Sequence, residues 1–107
     1  MTVDELKITQ LIRSRVAIAD PTARITIFGS HSRGDAHADS DWDILVLVNQ
    51  DMNFREYEDK IRHQLFLLEL ELEVPFSVLI YQVNNWNNKL AATSFYQAVK
   101  REGIVLT

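Results

Sequence analysis

From Asp43 to Val48 the chain reads Asp-Ile-Leu-Val-Leu-Val, apolar at every position after the first. A strand with one wet face alternates polar and apolar residues, so an unbroken run suggests a central strand covered on both faces. Covering two faces needs helices on each side, and the remaining periodicities supply them. Thr2 with Glu5 makes a capping box, after which Leu6, Ile8, Leu11, Ile12 and Val16 give an apolar helix that fades towards Asp20-Pro21. Arg24 to Phe28 is β-branched and aromatic and reads as a strand ended by Gly29. Ser30 to Asp39 is polar, with room for a turn and one short helical segment.

Asn53 with Glu56 reads as a second capping box. Phe54, Tyr57, Ile61, Leu65, Leu68 and Leu72 follow at three- and four-residue steps, the longest helix of the chain. Pro75 to Tyr81 reads as a third strand, with the proline tolerated at its start. Asn85 is expected to cap a short helix carrying Trp86 and Leu90, and Ser94 with Gln97 another that Gly103 stops. The order predicts an α/β (α+β) fold, a single domain over 1–107 with a small mixed sheet of three to four strands flanked by helices.

A net charge of −4, with the basic residues scattered, argues against a surface that wraps nucleic acid, so no direct nucleic-acid partner is expected. The absence of cysteine excludes disulfides, thiolate zinc sites and cysteine nucleophiles. No apolar run approaches the length of a membrane span, and Met1 to Glu5 has neither part of a signal peptide. A cytoplasmic location without membrane attachment is the expectation. A chain of 107 residues has a large surface for its core, which invites a homo-oligomer or a dedicated partner.

Two short motifs sit between the first two strands. A glycine directly after a strand lets the backbone approach a ligand, and the N–H groups that follow Gly29 are free to face a phosphate. Ser30 adds a hydroxyl, and Arg33, one short turn on, a positive charge. Asp41 and Asp43 are two apart in an extended segment, so their carboxylates share a face. Two such groups repel unless a divalent cation lies between them, and oxygen ligands favour Mg²⁺ or Mn²⁺. Taken singly, each motif is an ordinary turn or a solvated pair; together, at the end of one strand and the start of the next, they suggest nucleotide chemistry. Of the other candidates, His31 and His37 lie in the loop within reach of a nucleotide. Trp42, pointing away from the aspartates, reads as packing, and His63 as helix surface. Glu69, Glu71 and Glu73 read as a solvated edge.

On these residues the chain resembles the minimal nucleotidyltransferases of the DNA polymerase beta superfamily, small prokaryotic proteins often found beside a HEPN-domain partner. Gly29-Ser30, Arg33-Gly34 and Ser40-Asp41-Trp42-Asp43 match the family's nucleotide and metal motif, and Phe95-Tyr96, Val99 and Arg101 to Leu106 resemble its usual ending. The resemblance implies ATP as nucleotide, Asp41 and Asp43 as metal ligands and catalytic acids, and Gly29, Ser30 and Arg33 as nucleotide-binding residues. It also implies a toxin–antitoxin setting, with AMP passed to a tyrosine of the HEPN partner or the partner masked by contact.

The family's third acidic residue falls mid-strand after the long helix, and aligning Val74 to Ile80 puts Ser77 there. Glu73 would share its face if the strand reached back, but at about 13 Å it is too far to substitute. A serine neither ligates a cation well nor acts as a base at neutral pH. Three readings stay open: a protein-directed adenylyltransferase, a catalytically weak antitoxin that neutralises its partner by contact, and an α/β domain with no nucleotide site.

Overall fold

The computed structural model describes residues 1–106. In chain order the elements are α1 (Val3–Ala19), β1 (Arg24–Phe28), α2 (Ser30–Arg33), β2 (Trp42–Val48) and α3 (Phe54–Leu72). There follow β3 (Phe76–Gln82), α4 (Val83–Lys89), α5 (Ser94–Glu102) and β4 (Ile104–Leu106). The sheet order is β3-β2-β1-β4. β1 runs antiparallel to β2 and β4, whereas β2 and β3 are parallel and joined through α3, so the sheet is mixed and four-stranded.

The unbroken run of β2 has the expected cause. Trp42, Ile44, Val46 and Val48 enter a core shared with α1 and α3 through Ile12, Val16, Ile61, Leu65 and Leu68. Leu45 and Leu47 enter a second core with Trp86 of α4 and Val99 of α5. Each fully buried side chain of this size contributes about 1.5–3 kcal/mol, and β2 carries such residues on both faces.

The Thr2–Glu5 capping box forms in full: Glu5 N–H donates to Thr2 Oγ1, and Thr2 N–H donates to Glu5 Oε1. The other caps differ from expectation. Asn53 does cap α3, but with φ at 60° its side chain makes no capping bond, and its carbonyl takes the Glu56 and Tyr57 N–H groups instead. α4 starts earlier than Asn85 because Gln82 reaches forward and its side-chain oxygen accepts from Asn84 and Asn85 N–H; Leu90 only ends that helix. Thr93, rather than Ser94, caps α5, accepting from Tyr96 N–H at 3.1 Å.

Other boundaries also move. Ile8, Ile12 and Val16 of α1 face the core, whereas Leu6 and Leu11 lie outside. Glu73 ends α3 in a left-handed conformation, φ 55°, and β3 begins only at Phe76. Glu73 is therefore not part of the strand. Nor is the acidic run merely solvated: Glu69 Oε2 accepts from Phe76 N–H at 2.7 Å, and Glu71 pairs with Arg15 of α1. The C-terminal apolar segment becomes the edge strand β4.

Candidate functional site

Asp43 opens β2 on the face that the second core occupies further along, two residues before Leu45. Its opposite neighbour on β1 is Phe28, and on the parallel side it pairs with Ser77 of β3. In-register neighbours point to the same face, one strand spacing of about 4.8 Å apart. Ser77 thus sits beside Asp43, exposed.

Directly after Phe28 the chain turns at Gly29, with φ 75° and ψ −153°, a region essentially closed to residues with a side chain. A Cβ built there would overlap Asp43 Oδ2. Gly29 therefore satisfies two constraints at once, the backbone angle of the turn and the close approach of a carboxylate. Its carbonyl accepts from Ser32 N–H, Arg33 N–H and the Ser32 hydroxyl, which nucleates the short helix α2. Among the described residues no acceptor meets the Ser30 or His31 backbone N–H. These two donors head the helix that begins where Asp43 meets the turn.

Asp41 lies just before β2 and is exposed; Asp43 is partly buried. Burial, and next the Asp41 charge, hold the Asp43 carboxyl above the ordinary aspartate range, while His31 and Arg33 pull it the other way. Two facing carboxylates, one of them resisting ionisation, are a donor set that a hard divalent cation relieves. The set holds two side chains only. No group of three or more His, Asp or Glu side chains poised around one metal occurs among the described residues. Two carboxylates of this kind are hard oxygen donors that would suit one Mg²⁺ or Mn²⁺, and Ser77 stands beside them without a third carboxylate.

Arg33 sits at the end of α2, and its guanidinium meets Asp35 at 3.3 Å and Glu102 of α5 at 3.4 Å rather than the carboxylates of β2. The second contact ties α5 to the turn. His37 is exposed, and its backbone N–H donates to Ser40 Oγ at 2.7 Å while its carbonyl accepts from Ser40 N–H. That tight loop sets the approach of the chain to Asp41.

His31 turns inward instead of towards a ligand. Its ring stacks on Trp42, 3.8 Å between centroids at 9°, with Nδ1 at 2.7 Å from Glu5 Oε2 and Nε2 at 3.3 Å from the Ser40 carbonyl. This stack joins the N-terminal turn of α1, the start of α2 and the residue before Asp41. Sequence reasoning did not find it, because its members are 26 and 9 residues apart and follow no period. A hydrophilic residue at a buried loop position is its only trace.

The Nucleotidyltransferase domain family matches residues 8–104. A Methanocaldococcus jannaschii protein, whose name gives it provisionally as a protein adenylyltransferase, is 31% identical over 87 residues, 81% of this chain and 81% of its own length. Among solved structures, a chain from a crystal structure of a toxin–antitoxin with AMP-PNP is similar at a TM-score of 0.55 and 27% identity, covering 98% of this chain and 73% of that one. A chain from a mutant of the toxin–antitoxin MntA-HpeT is similar at 0.57 and 24% identity, covering 96% and 72%, a likeness of fold. With the match spanning nearly the whole length, from α1 to β4, this chain belongs to the Nucleotidyltransferase domain family.

Proposed function

We propose that this chain binds ATP with Mg²⁺ between α2 and the start of β2 and passes AMP to a protein partner, as the antitoxin of a toxin–antitoxin pair whose toxin is a HEPN-type protein. The observation that carries the reading is the packing of Gly29 against Asp43, which puts two unpaired N–H donors at the head of α2 next to a carboxylate pair. The named activity of the Methanocaldococcus jannaschii relative and the AMP-PNP of the similar toxin–antitoxin structure support the choice of nucleotide and setting.

In this reading the Ser30 and His31 N–H groups and the Ser30 hydroxyl bind phosphate oxygens. Asp41 and Asp43 hold the cation, which offsets charge on the triphosphate. Arg33 exchanges Asp35 for phosphate at small cost, since an exposed, solvent-screened ion pair of this kind contributes little. The acceptor hydroxyl, a tyrosine of the partner, forms its bond to the α-phosphorus as the bond to the pyrophosphate oxygen breaks. The hydroxyl's proton must also leave. It passes to solvent, because Asp41 and Asp43 hold the cation and Ser77 beside Asp43 supplies no base.

That pairing favours a second reading. With Ser77 where a third carboxylate would lie, the pocket retains its affinity for nucleotide, transfer is weak, and the chain neutralises its partner by contact. One experiment separates the two: α-phosphate-labelled ATP is incubated with this protein and a candidate HEPN-type partner protein. Label on the partner that is lost in the Asp41→Asn, Asp43→Asn double variant supports transfer. Partner inhibition that survives the double variant, with no label in either, supports masking, and label that persists in it overturns the site.

A further inference from the structure

α5 presents one face to the phosphate turn, because Phe95 and Glu102, seven residues apart, lie on the same side of the helix. Glu102 meets Arg33 of α2 at 3.4 Å. At the other end the Phe95 ring meets Phe28 edge-on, 5.6 Å between centroids at 75°. Phe28 is the residue before Gly29 and the direct neighbour of Asp43 across the β1–β2 pair. Opposed residues of antiparallel strands are about 5 Å apart at Cβ, so Phe95 stands one ring contact beyond the residue that flanks the carboxylate. That separation is of the order of a ribose and base extending from a bound phosphate.

The ring is held in place. Besides Phe28 it meets Trp86 edge-on at 5.8 Å and 84°, and Trp86 is itself buried among Tyr81 and Tyr96. Both supports take Phe95 at steep interplanar angles, neither stacks face to face on it, and 37% of the residue remains exposed. A fixed aromatic ring with an open side loses little conformational freedom on accepting a flat ligand.

We infer that Phe95 is the platform on which the base of the nucleotide stacks, with Phe28 and Trp86 holding the ring in position. The inference rests on the nucleotide-binding reading of the phosphate turn and assigns that site its base-binding end. Stacking on one ring reads the π-face of the base rather than its edge.

Calorimetric titration with two probes, Mg²⁺·ATP and Mg²⁺·tripolyphosphate, tests it. Phe95→Ala is expected to weaken ATP binding about 5- to 150-fold, the range for losing one base–aromatic stack, and to leave tripolyphosphate binding unchanged. Phe95→Leu, which keeps apolar volume and the packing of α5, is expected to lose ATP affinity in the same direction, and Phe95→Trp to retain it. If Phe95→Ala and Phe95→Leu bind ATP as the parent does, while the Asp41→Asn, Asp43→Asn double variant does not, the platform is wrong and the phosphate site stands. Equal loss of ATP and tripolyphosphate would assign Phe95 to the shape of the site and overturn the stacking role. A parent protein that binds neither probe overturns the nucleotide reading and the platform with it.

Discussion

Replacing Gly29 with alanine tests the packing on which the site reading depends. At φ 75° and ψ −153° a residue with a Cβ is strained by about 1–3 kcal/mol. The new methyl would also overlap Asp43 Oδ2, so the Asp43 side chain must leave its position or the turn must open. Forcing a side chain off its rotamer costs about 0.5–1.5 kcal/mol more. Together these come to roughly 1.5–4.5 kcal/mol, a large share of the 5–15 kcal/mol typical of a domain. For a chain of this length that corresponds to a drop in Tm of roughly 7–20 °C. Gly34→Ala is the matched control: Gly34 has φ 85° but nothing within 4 Å of its would-be Cβ. It is expected to show backbone strain alone, about 1–2 kcal/mol. Thermal unfolding gives the first comparison and Mg²⁺·ATP titration the second, with Gly29→Ala losing affinity and Gly34→Ala keeping it. If the two variants melt alike and bind alike, the close approach of Gly29 to Asp43 has no part in the site.

Two further outcomes follow from the geometry. The Thr2 backbone N–H, and next the His31 ring, hold the Glu5 carboxyl below its ordinary range, so its contribution is present above the unfolded-state value of about 4.3 and fades as pH falls through the lowered folded value. Urea unfolding should therefore find Glu5→Gln less stable than the parent at pH 7 by up to about 1 kcal/mol, the solvent-screened scale for such a contact, with the gap closing in acid; a gap constant with pH contradicts the assignment. Ser77→Asp puts a third carboxylate beside Asp43. It should destabilise the cation-free protein, gain back that stability with Mg²⁺ and raise label transfer from ATP, and a folded, ATP-binding variant without any gain in transfer would sink the account of Ser77 as the missing acid.

What the sequence revealed divides along the range of the interactions. β1 and its glycine stop were legible because a β-branched run and a following turn are local. The convergence of Gly29-Ser30 with Asp41 and Asp43 was legible for a related reason: β1 and β2 are consecutive antiparallel neighbours, so the ends flanking their connection must meet. The placement of Ser77 beside Asp43 needed the parallel β2–β3 register, which no local spacing gives, and the family frame had supplied it. Caps failed where several short polar residues compete. Thr93 and Ser94 are adjacent hydroxyls, and only the chain direction at the start of α5 selects Thr93. A left-handed Asn53 defeats a motif that assumes extended backbone at the cap. α1 misled differently: its apolar residues lie all round the helix, so composition showed a helix without showing which side would be buried.

Trp42 and Asp43 are consecutive, and the strand period sends them to opposite faces of β2. Trp42 is 1% exposed and clamped between the α1–α3 core and the His31 ring, while Asp43 faces the turn at Gly29. The position of the carboxylate is therefore set from behind, by the burial of the residue before it and by the Glu5–His31 contact that closes over the stack. The Asp41 side chain lacks such an anchor: it precedes the strand and is exposed, although its backbone is held by the Ser40 loop before it and by Trp42 N–H donating to the Pro75 carbonyl after it. Asp43 is thus the anchored carboxylate of the pair, and Asp41 is the exposed one.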